Sequence, residues 1–340
     1  MGLVLTVTDR GLYCPEGDFY IDPWEPVDRA VITHAHSDHA RPGSRIYLCA
    51  KPGAGVLAAR LGPEAVIDAV GYGETRDVRG VRVSLHPAGH ILGSAQVRVE
   101  HLGKVWVVSG DYKTEADPTC TSFEPIRCHT FITESTFGLP IYRWPAQAEV
   151  FAQIDAWWRG NQAKGVASVL YGYALGKAQR VLAGLNPETG PIFCHGAVLR
   201  LNDEYRRAGV PLAEAPHAGD STAKGDYGRA LILAPPSADG TPWLRRFGHI
   251  STGFCSGWMR IRGTRRRRAM DRGFVLSDHA DWPGLLSAIK ETEAESVWVT
   301  HGYRAPLVRW LRDEGWDAHA VETRFEGEVE DSTPVPAEDN

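Results

Sequence analysis

The sequence predicts an α/β protein in which one domain is built from both ends of the chain and a second α/β domain is inserted between them. Three observations lead to this arrangement. Short β-rich runs punctuated by Gly and Pro fill the first third of the chain, strands alternate with helices from about Ala146, and a final βαβ segment follows an Arg-rich stretch at 260–272. The predicted boundaries are 1–139 and 271–325 for the first domain and 140–270 for the insert.

Strands of the first third are predicted at short β-rich runs, several of which alternate apolar and polar residues as half-buried strands do. They are Gly2–Thr8, Asp18–Asp22, Ala30–Thr33, Arg45–Cys49, Val81–His86, Gln96–His101 and Lys104–Ser109, with a short helix at Pro52–Leu61. In the insert we expect helices at Ala146–Trp158 and Gly176–Leu185 and strands at Ala167–Tyr171, Ile192–His195 and Ala230–Ala234. In the final segment we expect strands at Phe274–Ser277 and Ser296–Thr300 and helices at Pro283–Glu291 and Ala305–Glu314.

Composition and charge limit the classes of function. The 340 residues are 43% hydrophobic and carry a net charge of −5, so any nucleic-acid surface must be local. The six scattered cysteines are expected to be reduced and mostly buried. Because the start has no basic segment before a long apolar stretch, and no apolar run reaches about 18 residues, we expect a cytoplasmic protein without a membrane segment. The acidic tail, 326–340, is expected to be disordered.

A cluster of metal-binding side chains follows the apolar run at Ala30–Thr33. His34, His36, Asp38 and His39 lie within six residues, so three imidazoles and a carboxylate can converge beside the end of one strand. Such ligands suit Zn²⁺, Mn²⁺ or Fe²⁺. A solvated polar loop is the alternative interpretation of the same residues.

Three further residues extend this cluster, and each is directly beside a glycine just past a predicted strand. They are His90, Asp111 and His301. A single His or Asp in such a position is more often structural. Together the three share one geometry, which presents side chains to a common sheet edge and favours a site for two metal ions.

The order H-x-H-x-D-H, His, Asp and late His resembles the metallo-β-lactamase superfamily. The resemblance implies an αββα sandwich with metals at one edge. It also implies two metal sites that share Asp111, the first held by His34, His36, His90 and Asp111, and the second by Asp38, His39, Asp111 and His301. Asp22 matches the family's early Asp, which orients a metal-bound histidine.

Motifs in the middle and late parts of the chain resemble the β-CASP nucleases of this superfamily. They are Thr133–Gly138, Tyr173–Arg180 and Leu276–Asp281. The resemblance implies that Glu134, His279 and His301 surround a scissile phosphate, that Asp38 is catalytic as well as a ligand, and that 140–270 is the β-CASP domain. It implies phosphodiester hydrolysis by a metal-activated hydroxide, with two Zn²⁺ or Mn²⁺ ions and with His279 and Glu134 assisting at the phosphate.

Within that branch the chain is most similar to the bacterial ligase-associated DNA exonucleases. This resemblance implies a DNA exonuclease of DNA repair, a nucleic acid substrate with DNA favoured over RNA, and partnership with an ATP-dependent DNA ligase and a helicase. The alternative is an RNA-processing nuclease of the same branch, similar to those that process mRNA 3′ ends, because a histidine at position 301 is more typical of the RNA-acting members.

Several residues are candidates for substrate contact. Ser135 and Thr136 would donate to phosphate and Lys177 would contact the nucleic acid backbone, although turn-capping hydroxyls and a solvated helix start explain the same residues. Arg265, Arg266, Arg267 and Arg268 form the strong basic cluster, interpreted as an edge that follows phosphates or as a solvated loop. Two other function classes stay open, a small-molecule hydrolase of the superfamily and a non-catalytic nucleic-acid-binding subunit.

Overall fold

The computed structural model describes residues 3–219, 227–261 and 270–324, and these residues form two compact units. The first unit takes the described residues up to Arg143 and from His279 onward, and the second runs from Trp144 to Asp278. These boundaries fall later than the expected 139/140 and 270/271. At the first boundary, Trp282 N donates to Tyr142 O at 3.0 Å, which ties Tyr142 to the first unit. The tail expected to be disordered lies outside the described residues.

The first unit contains a six-stranded sheet in which the strands follow the chain order. Its strands are β1 (Thr6–Thr8), β2 (Gly11–Cys14), β3 (Phe19–Ile21), β4 (Arg29–Val31), β5 (Ile46–Ala50) and β6 (Ile67–Val70), with helix α1 (Ala54–Leu61) between β5 and β6. Strands β1 to β3 are antiparallel and β3 to β6 are parallel. The parallel pairing places the carboxyl ends of β3 and β4 side by side, so Asp22 and the histidine cluster emerge at one edge.

The same unit contains a seven-stranded sheet of order β18-β17-β11-β10-β9-β8-β7. Its strands are β7 (Thr75–Val78), β8 (Val81–Pro87), β9 (Ala95–His101), β10 (Lys104–Val108), β11 (Thr130–Thr133), β17 (Ser296–Val299) and β18 (Asp317–Ala320). Strands β7 to β10 are antiparallel, whereas β10, β11, β17 and β18 are parallel. Because β17 pairs with β11, residues far apart in the chain meet at the carboxyl ends of β10, β11 and β17.

The core of the first unit joins both sheets. Val31 and Leu48 of the first sheet belong to one buried cluster with Val83, Val97 and Val108 of the second. A second cluster packs residues of the seven-stranded sheet against helices α5 (Trp282–Glu291) and α6 (Arg304–Asp313). Burying such apolar surface contributes about 25 cal/mol per Å². The unit is therefore a mixed α/β structure built on two sheets, and the four-layer order αββα stays a prediction.

The second unit is built on a five-stranded parallel sheet of order β13-β14-β12-β15-β16. Its strands are β12 (Ala167–Tyr171), β13 (Ile192–Cys194), β14 (Leu231–Ala234), β15 (Ile250–Cys255) and β16 (Arg272–Phe274), with helices α2 (Gln147–Gln162), α3 (Lys177–Gly184) and α4 (Gly196–Arg207). The strand expected at Phe274–Ser277 in the first domain is wrong in position and in domain, because β16 ends at Phe274 and pairs with β15 of the second unit. No helix within the described ranges is long and apolar enough to cross a membrane.

Candidate metal centre

Four buried or half-buried donors converge at the edge of the first unit. His34 and His36 follow β4, His90 lies in the turn between β8 and β9, and Asp111 follows β10. His36 Nδ1 lies 3.1 Å from both His34 Nε2 and His90 Nε2, and Asp111 Oδ2 lies 3.6 Å from His34 Nε2. One donor atom from each residue falls within 4.8 Å of the others. This spacing suits ligands bound to one ion at about 2.0–2.2 Å.

A second group of donors, Asp38, His39 and His301, adjoins the first at Asp111. His39 Nε2 is 3.6 Å from Asp111 Oδ2 and 3.7 Å from Asp38 Oδ2, and the rings of His39 and His301 stack with centroids 5.3 Å apart. Asp38, His39 and His301 also line a cavity of about 40 Å³. The same oxygen, Asp111 Oδ2, therefore faces both groups of donors.

A buried nitrogen of His39 indicates that these donors fit a metal ion. His39 is 3% exposed, and its Nε2 has no hydrogen-bond partner among the described residues. A buried polar atom left unsatisfied costs about 1–3 kcal/mol, so this nitrogen needs a ligand. Imidazole nitrogens with carboxylate oxygens are donors that Zn²⁺ and Mn²⁺ accept.

Burial and neighbouring charges shift the pKa values of these donors. Burial and the surrounding imidazoles hold the pKa of His34 well below 6.5, and burial with His39 lowers the pKa of His301 to about 4, so both imidazoles are in the neutral form that binds metals. Burial alone would lower the pKa of His39. The carboxylates of Asp111, Asp38 and Asp22 outweigh it and raise this pKa to about 10. A cation bound there would replace the proton that these carboxylates otherwise favour.

Asp22 and Thr33 orient the histidines that follow β4. Asp22 Oδ2 accepts from His39 Nδ1 at 2.7 Å and from Thr33 Oγ1 at 2.5 Å, and Asp22 Oδ1 accepts from Thr33 N at 2.8 Å. Because the Thr33 hydroxyl donates to Asp22, its oxygen can accept from His34 Nδ1, which is 3.0 Å away. His34 Nδ1 thus donates to Thr33 Oγ1, and His39 Nδ1 donates to Asp22 Oδ2. The Nε2 lone pairs of both histidines therefore face the other metal donors. Sequence reasoning missed Thr33.

Glycines next to three of the donors allow close backbone approach. Gly89, Gly110 and Gly302 have φ of 74°, 56° and 66°. A Cβ would come within 2.4 Å of Lys113 O at Gly89, 2.6 Å of Thr33 Cβ at Gly110 and 2.3 Å of Ser135 O at Gly302. Only glycine fits these positions. The pairing of each donor with a glycine, seen in the sequence, follows from this crowding.

Glu134 and His279 form a buried pair beside the donors. His279 Nδ1 is 3.0 and 2.9 Å from the two Glu134 oxygens, and Tyr112 N donates to Glu134 Oε1 at 2.8 Å. A carboxylate can only accept here, so His279 Nδ1 donates. Burial would raise the pKa of Glu134, but His279 outweighs burial and lowers it. The His279 ring lies 4.6 Å from the His90 ring, and Asp111, Glu134 and His279 also offer donor atoms within 4.8 Å of one another.

Ser135 and Thr136, which were expected to contact substrate, are buried and hydrogen-bonded within the protein. Ser135 is buried, and its Oγ donates to Thr300 O at 3.2 Å and to His301 O. Thr136 is buried and hydrogen-bonds to Glu134. These contacts favour the structural alternative for both hydroxyls, because they hold the strand ends that carry Glu134 and His301.

Lys177 corrects the expectation of an exposed cation. Its side chain is fully buried, with Nζ 2.6 Å from Asp278 Oδ2. Arg180 NH1 donates to the same carboxylate at 3.1 Å. A lysine committed to a buried ion pair has no face for a nucleic acid backbone. Arg265, Arg266, Arg267 and Arg268 lie outside the described residues.

The chain is similar in sequence to proteins that carry several different names. The chain is 30% identical over 315 residues to a probable DNA ligase from Opitutus terrae, covering 92% of this chain and 30% of that protein. It is 28% identical to the transcription termination factor FttA of Methanosarcina mazei, covering 55% of this chain and 35% of that protein. It is 31% identical to the endoribonuclease YSH1 of Saccharomyces cerevisiae, covering 34% and 15%. The chain thus spans about a third or less of these relatives' lengths.

A solved structure supports the fold. A crystal structure of a protein of unknown function from Enterococcus faecalis V583 aligns with a TM-score of 0.58 at 11% identity, covering 88% of this chain and 80% of that one. No protein-family model matches the chain. Buried His and Asp donors that converge at strand ends define an α/β protein with a metal-binding centre. The chain belongs to the β-CASP branch of the metallo-β-lactamase superfamily.

Proposed function

We propose that this chain is a metal-dependent nuclease that uses two divalent cations to hydrolyse phosphodiester bonds. The observation that carries the proposal is the position of Asp111 Oδ2, 3.6 Å from both His34 Nε2 and His39 Nε2. A carboxylate oxygen shared in this way is suited to bridge two ions. The proposal includes the fold: the first unit is an αββα sandwich, and the second unit is a β-CASP domain.

The residues divide the chemical work. His34, His36, His90 and Asp111 would hold one cation, and Asp38, His39, Asp111 and His301 the other. Bound divalent cations supply Lewis-acid chemistry, which makes water nucleophilic near neutral pH and offsets charge on phosphate oxygens. Glu134 fixes the ring of His279 through Nδ1 and favours its protonated form. His279 can then hold a proton on Nε2 and deliver it to the leaving oxygen.

Substitution separates metal binding from proton delivery. His279→Ala is expected to keep its metal and lose about 10²–10⁴-fold in turnover, because it removes the proton donor alone. Asp111→Ala is expected to lose metal as well as turnover. Metal content by plasma emission spectrometry and cleavage of a labelled oligonucleotide measure the two effects.

The control is His319→Ala, which removes an exposed histidine paired with Asp317 at 2.8 Å. It should leave both readouts unchanged. Full metal occupancy in Asp111→Ala would remove that residue from the metal site, and full turnover in His279→Ala would end its role as proton donor.

DNA is the proposed substrate, and a repair exonuclease is the proposed role. The support is the match to the probable DNA ligase, which extends over 92% of this chain, whereas the match to the endoribonuclease YSH1 covers 34%. An ATP-dependent DNA ligase and a helicase are the proposed partners, and the cytoplasm is the proposed location. The relative named as a probable DNA ligase is compatible with the first partner, whereas the helicase and the location rest on the sequence analysis alone. The alternative is an RNA-processing nuclease, supported by the endoribonuclease relatives and His301.

End-labelled substrates distinguish these two. Purified protein with Mn²⁺ or Zn²⁺ is incubated with matched single-stranded DNA and RNA, each labelled at the 5′ or the 3′ end. Mononucleotide release from DNA, lost in His279→Ala, supports the repair exonuclease and gives its polarity. Cleavage confined to RNA overturns the choice of substrate and keeps the metal chemistry.

A further inference from the structure

Two contacts fix one end of the His279 side chain. Ala280 N donates to Tyr112 O at 2.7 Å, which holds the backbone beside His279, and His279 Nδ1 donates to Glu134. With Cβ and Nδ1 held, the imidazole can still turn about the line that joins these two atoms. That rotation moves Nε2, the nitrogen proposed to deliver the proton. The direction of Nε2 therefore depends on what packs against the ring.

The rings of Phe137 and His90 pack against the His279 ring. The Phe137 and His279 centroids lie 5.8 Å apart and the two ring planes meet at 71°, an edge-to-face arrangement that aromatic pairs favour. The His90 and His279 centroids lie 4.6 Å apart. His90 is a candidate metal ligand, whereas Phe137 is fully buried and has no metal donor or titratable group. The effect of Phe137 on the His279 ring is therefore steric.

Phe137 is in turn held by Tyr142, which is also fully buried. The two ring centroids lie 4.8 Å apart and the planes meet at 67°. The Tyr142 hydroxyl lies 3.3 Å from the Tyr303 hydroxyl, and Tyr142 O accepts from Trp282 N at 3.0 Å. Tyr142 is thus tied to the start of α5, three residues after His279. Close packing of this kind limits the displacement of each ring.

We propose that Phe137 is a positioning residue, which packs against the His279 ring and keeps Nε2 in the orientation that proton delivery requires. The proposal rests on the proposed function, because it assigns that delivery to His279. A ring that can turn spends less time in the reactive orientation, and a misplacement of about 1 Å can lower a rate about 10²-fold. The expected effect of losing Phe137 falls on turnover, not on the binding of metal or substrate.

Replacing Phe137 by methionine tests this role, because methionine keeps much of the apolar volume but has no rigid ring. Phe137→Met is expected to lower kcat on a labelled oligonucleotide about 10- to 100-fold, with KM, metal content and circular dichroism unchanged. Phe247→Met is the matched control, because Phe247 is a buried phenylalanine of the second unit that packs against Trp243 and Tyr227. It should keep the turnover of the unchanged protein.

The decisive measurement places Phe137→Met in the His279→Ala background. If Phe137 acts through the His279 ring, the second substitution removes nothing further, so His279→Ala and the double variant should have equal turnover. The same loss in kcat from Phe137→Met with and without His279 would overturn the positioning role, as would an unchanged kcat in Phe137→Met alone. Full turnover in His279→Ala would instead overturn proton delivery by His279, and the role of Phe137 with it.

A second pair of variants keeps the test decisive if Phe137→Met does not fold. Tyr142→Leu removes the ring on which Phe137 packs and should lower kcat about 3- to 10-fold, again only when His279 is present. Tyr142→Phe keeps the ring and removes only the hydroxyl, so it should keep most of the turnover. Equal kcat in Tyr142→Leu and Tyr142→Phe would overturn the support of Phe137 by this ring.

Discussion

Thr33 links the two histidines that are proposed to serve different cations. Its hydroxyl and amide both donate to Asp22, which in turn accepts from His39 Nδ1. Asp22 holds its position with φ of 45°, in the left-handed region that side chains rarely adopt. A backbone kept in this region beside candidate ligands is consistent with a local cost retained for function.

Replacing Thr33 by valine should weaken metal binding about 10- to 100-fold. The change keeps the shape of the side chain but removes its hydrogen bonds to Asp22 and His34, which orient the ligands. Competition with a fluorescent chelator measures the affinity. Thr33→Ser should restore it, and Thr75→Val, at an exposed edge position, should have no effect. Unchanged affinity in Thr33→Val would refute the role of this hydroxyl.

Crowding at Gly89 should make alanine far more harmful there than at Gly73. The two glycines share φ values of 74° and 77°, but a Cβ at Gly89 meets Lys113 O at 2.4 Å and one at Gly73 meets nothing within 4 Å. Gly73→Ala should therefore lower the free energy of unfolding by about 1–2 kcal/mol through backbone conformation alone. Gly89→Ala should cost more and also lower metal content. Urea denaturation compares them, and equal losses would contradict the steric argument.

The candidate metal ligands could be predicted from the sequence, whereas the residues that orient those ligands could not. The histidines and aspartates stand out because few other roles place them after a strand and beside a glycine. Thr33 carries no such signal, since threonine is common in strands, and its role depends on the partner strand β3. Lys177 misled for a related reason, because its buried partner Asp278 is about a hundred residues away in the chain.

At the scale of elements, the segment after β10 is fixed by a buried ion pair. Lys113 Nζ lies 3.1 Å from Asp117 Oδ2, and both side chains are 1% exposed. Asp117 Oδ1 accepts from Thr119 N at 2.9 Å and from Thr119 Oγ1 at 2.6 Å. The backbone of Lys113 joins the segment of Asp111 to the turn of His90, because Lys113 N donates to Ala88 O at 3.0 Å.

Removing one partner of this pair should be strongly destabilising. Asp117→Ala leaves the Lys113 charge buried and should lower the free energy of unfolding by about 3–5 kcal/mol. Asp313→Ala is the control, because its pair with Arg309 is exposed and contributes about 0–1 kcal/mol. The double variant Lys113→Met with Asp117→Leu should recover much of the loss. Chemical denaturation that gave Asp117→Ala and Asp313→Ala equal stability would exclude the stabilising role.

Strands marked by alternating residues or by a run of apolar residues were easier to predict than a strand of loop-like composition. The position of β8 follows the alternation Val81-Arg82-Val83-Ser84-Leu85, and that of β12 follows a short apolar run. β15 was not predicted, because Ser251-Thr252-Gly253 has the composition of a loop. In the sheet, a Cβ at Gly253 would lie 3.0 Å from the Phe274 ring and 3.1 Å from Leu170, so close packing explains this glycine. Such packing depends on neighbours that local sequence does not specify.

At the scale of the whole molecule, removal of metal should destabilise one unit and leave the other unchanged. All candidate donors belong to the first unit. A cation at a hundred times its dissociation constant adds about 2.7 kcal/mol to the state that binds it. After treatment with a chelator, hydrogen exchange should rise in 3–143 and 279–324 and stay unchanged in the described part of 144–278. A uniform rise, or none, would contradict this.

The late return of the chain to the first unit has a consequence for its synthesis. Strand β11 pairs with β10 on one side and with β17 on the other, and β17 begins only at Ser296. A ribosome adding about 5–20 residues per second leaves that side of β11 without its partner for roughly 10–30 s. During this interval a nascent chain exposes a hydrogen-bonding edge to other chains. Because His301 is the last donor to be made, metal capture by the complete set begins only after that edge can close.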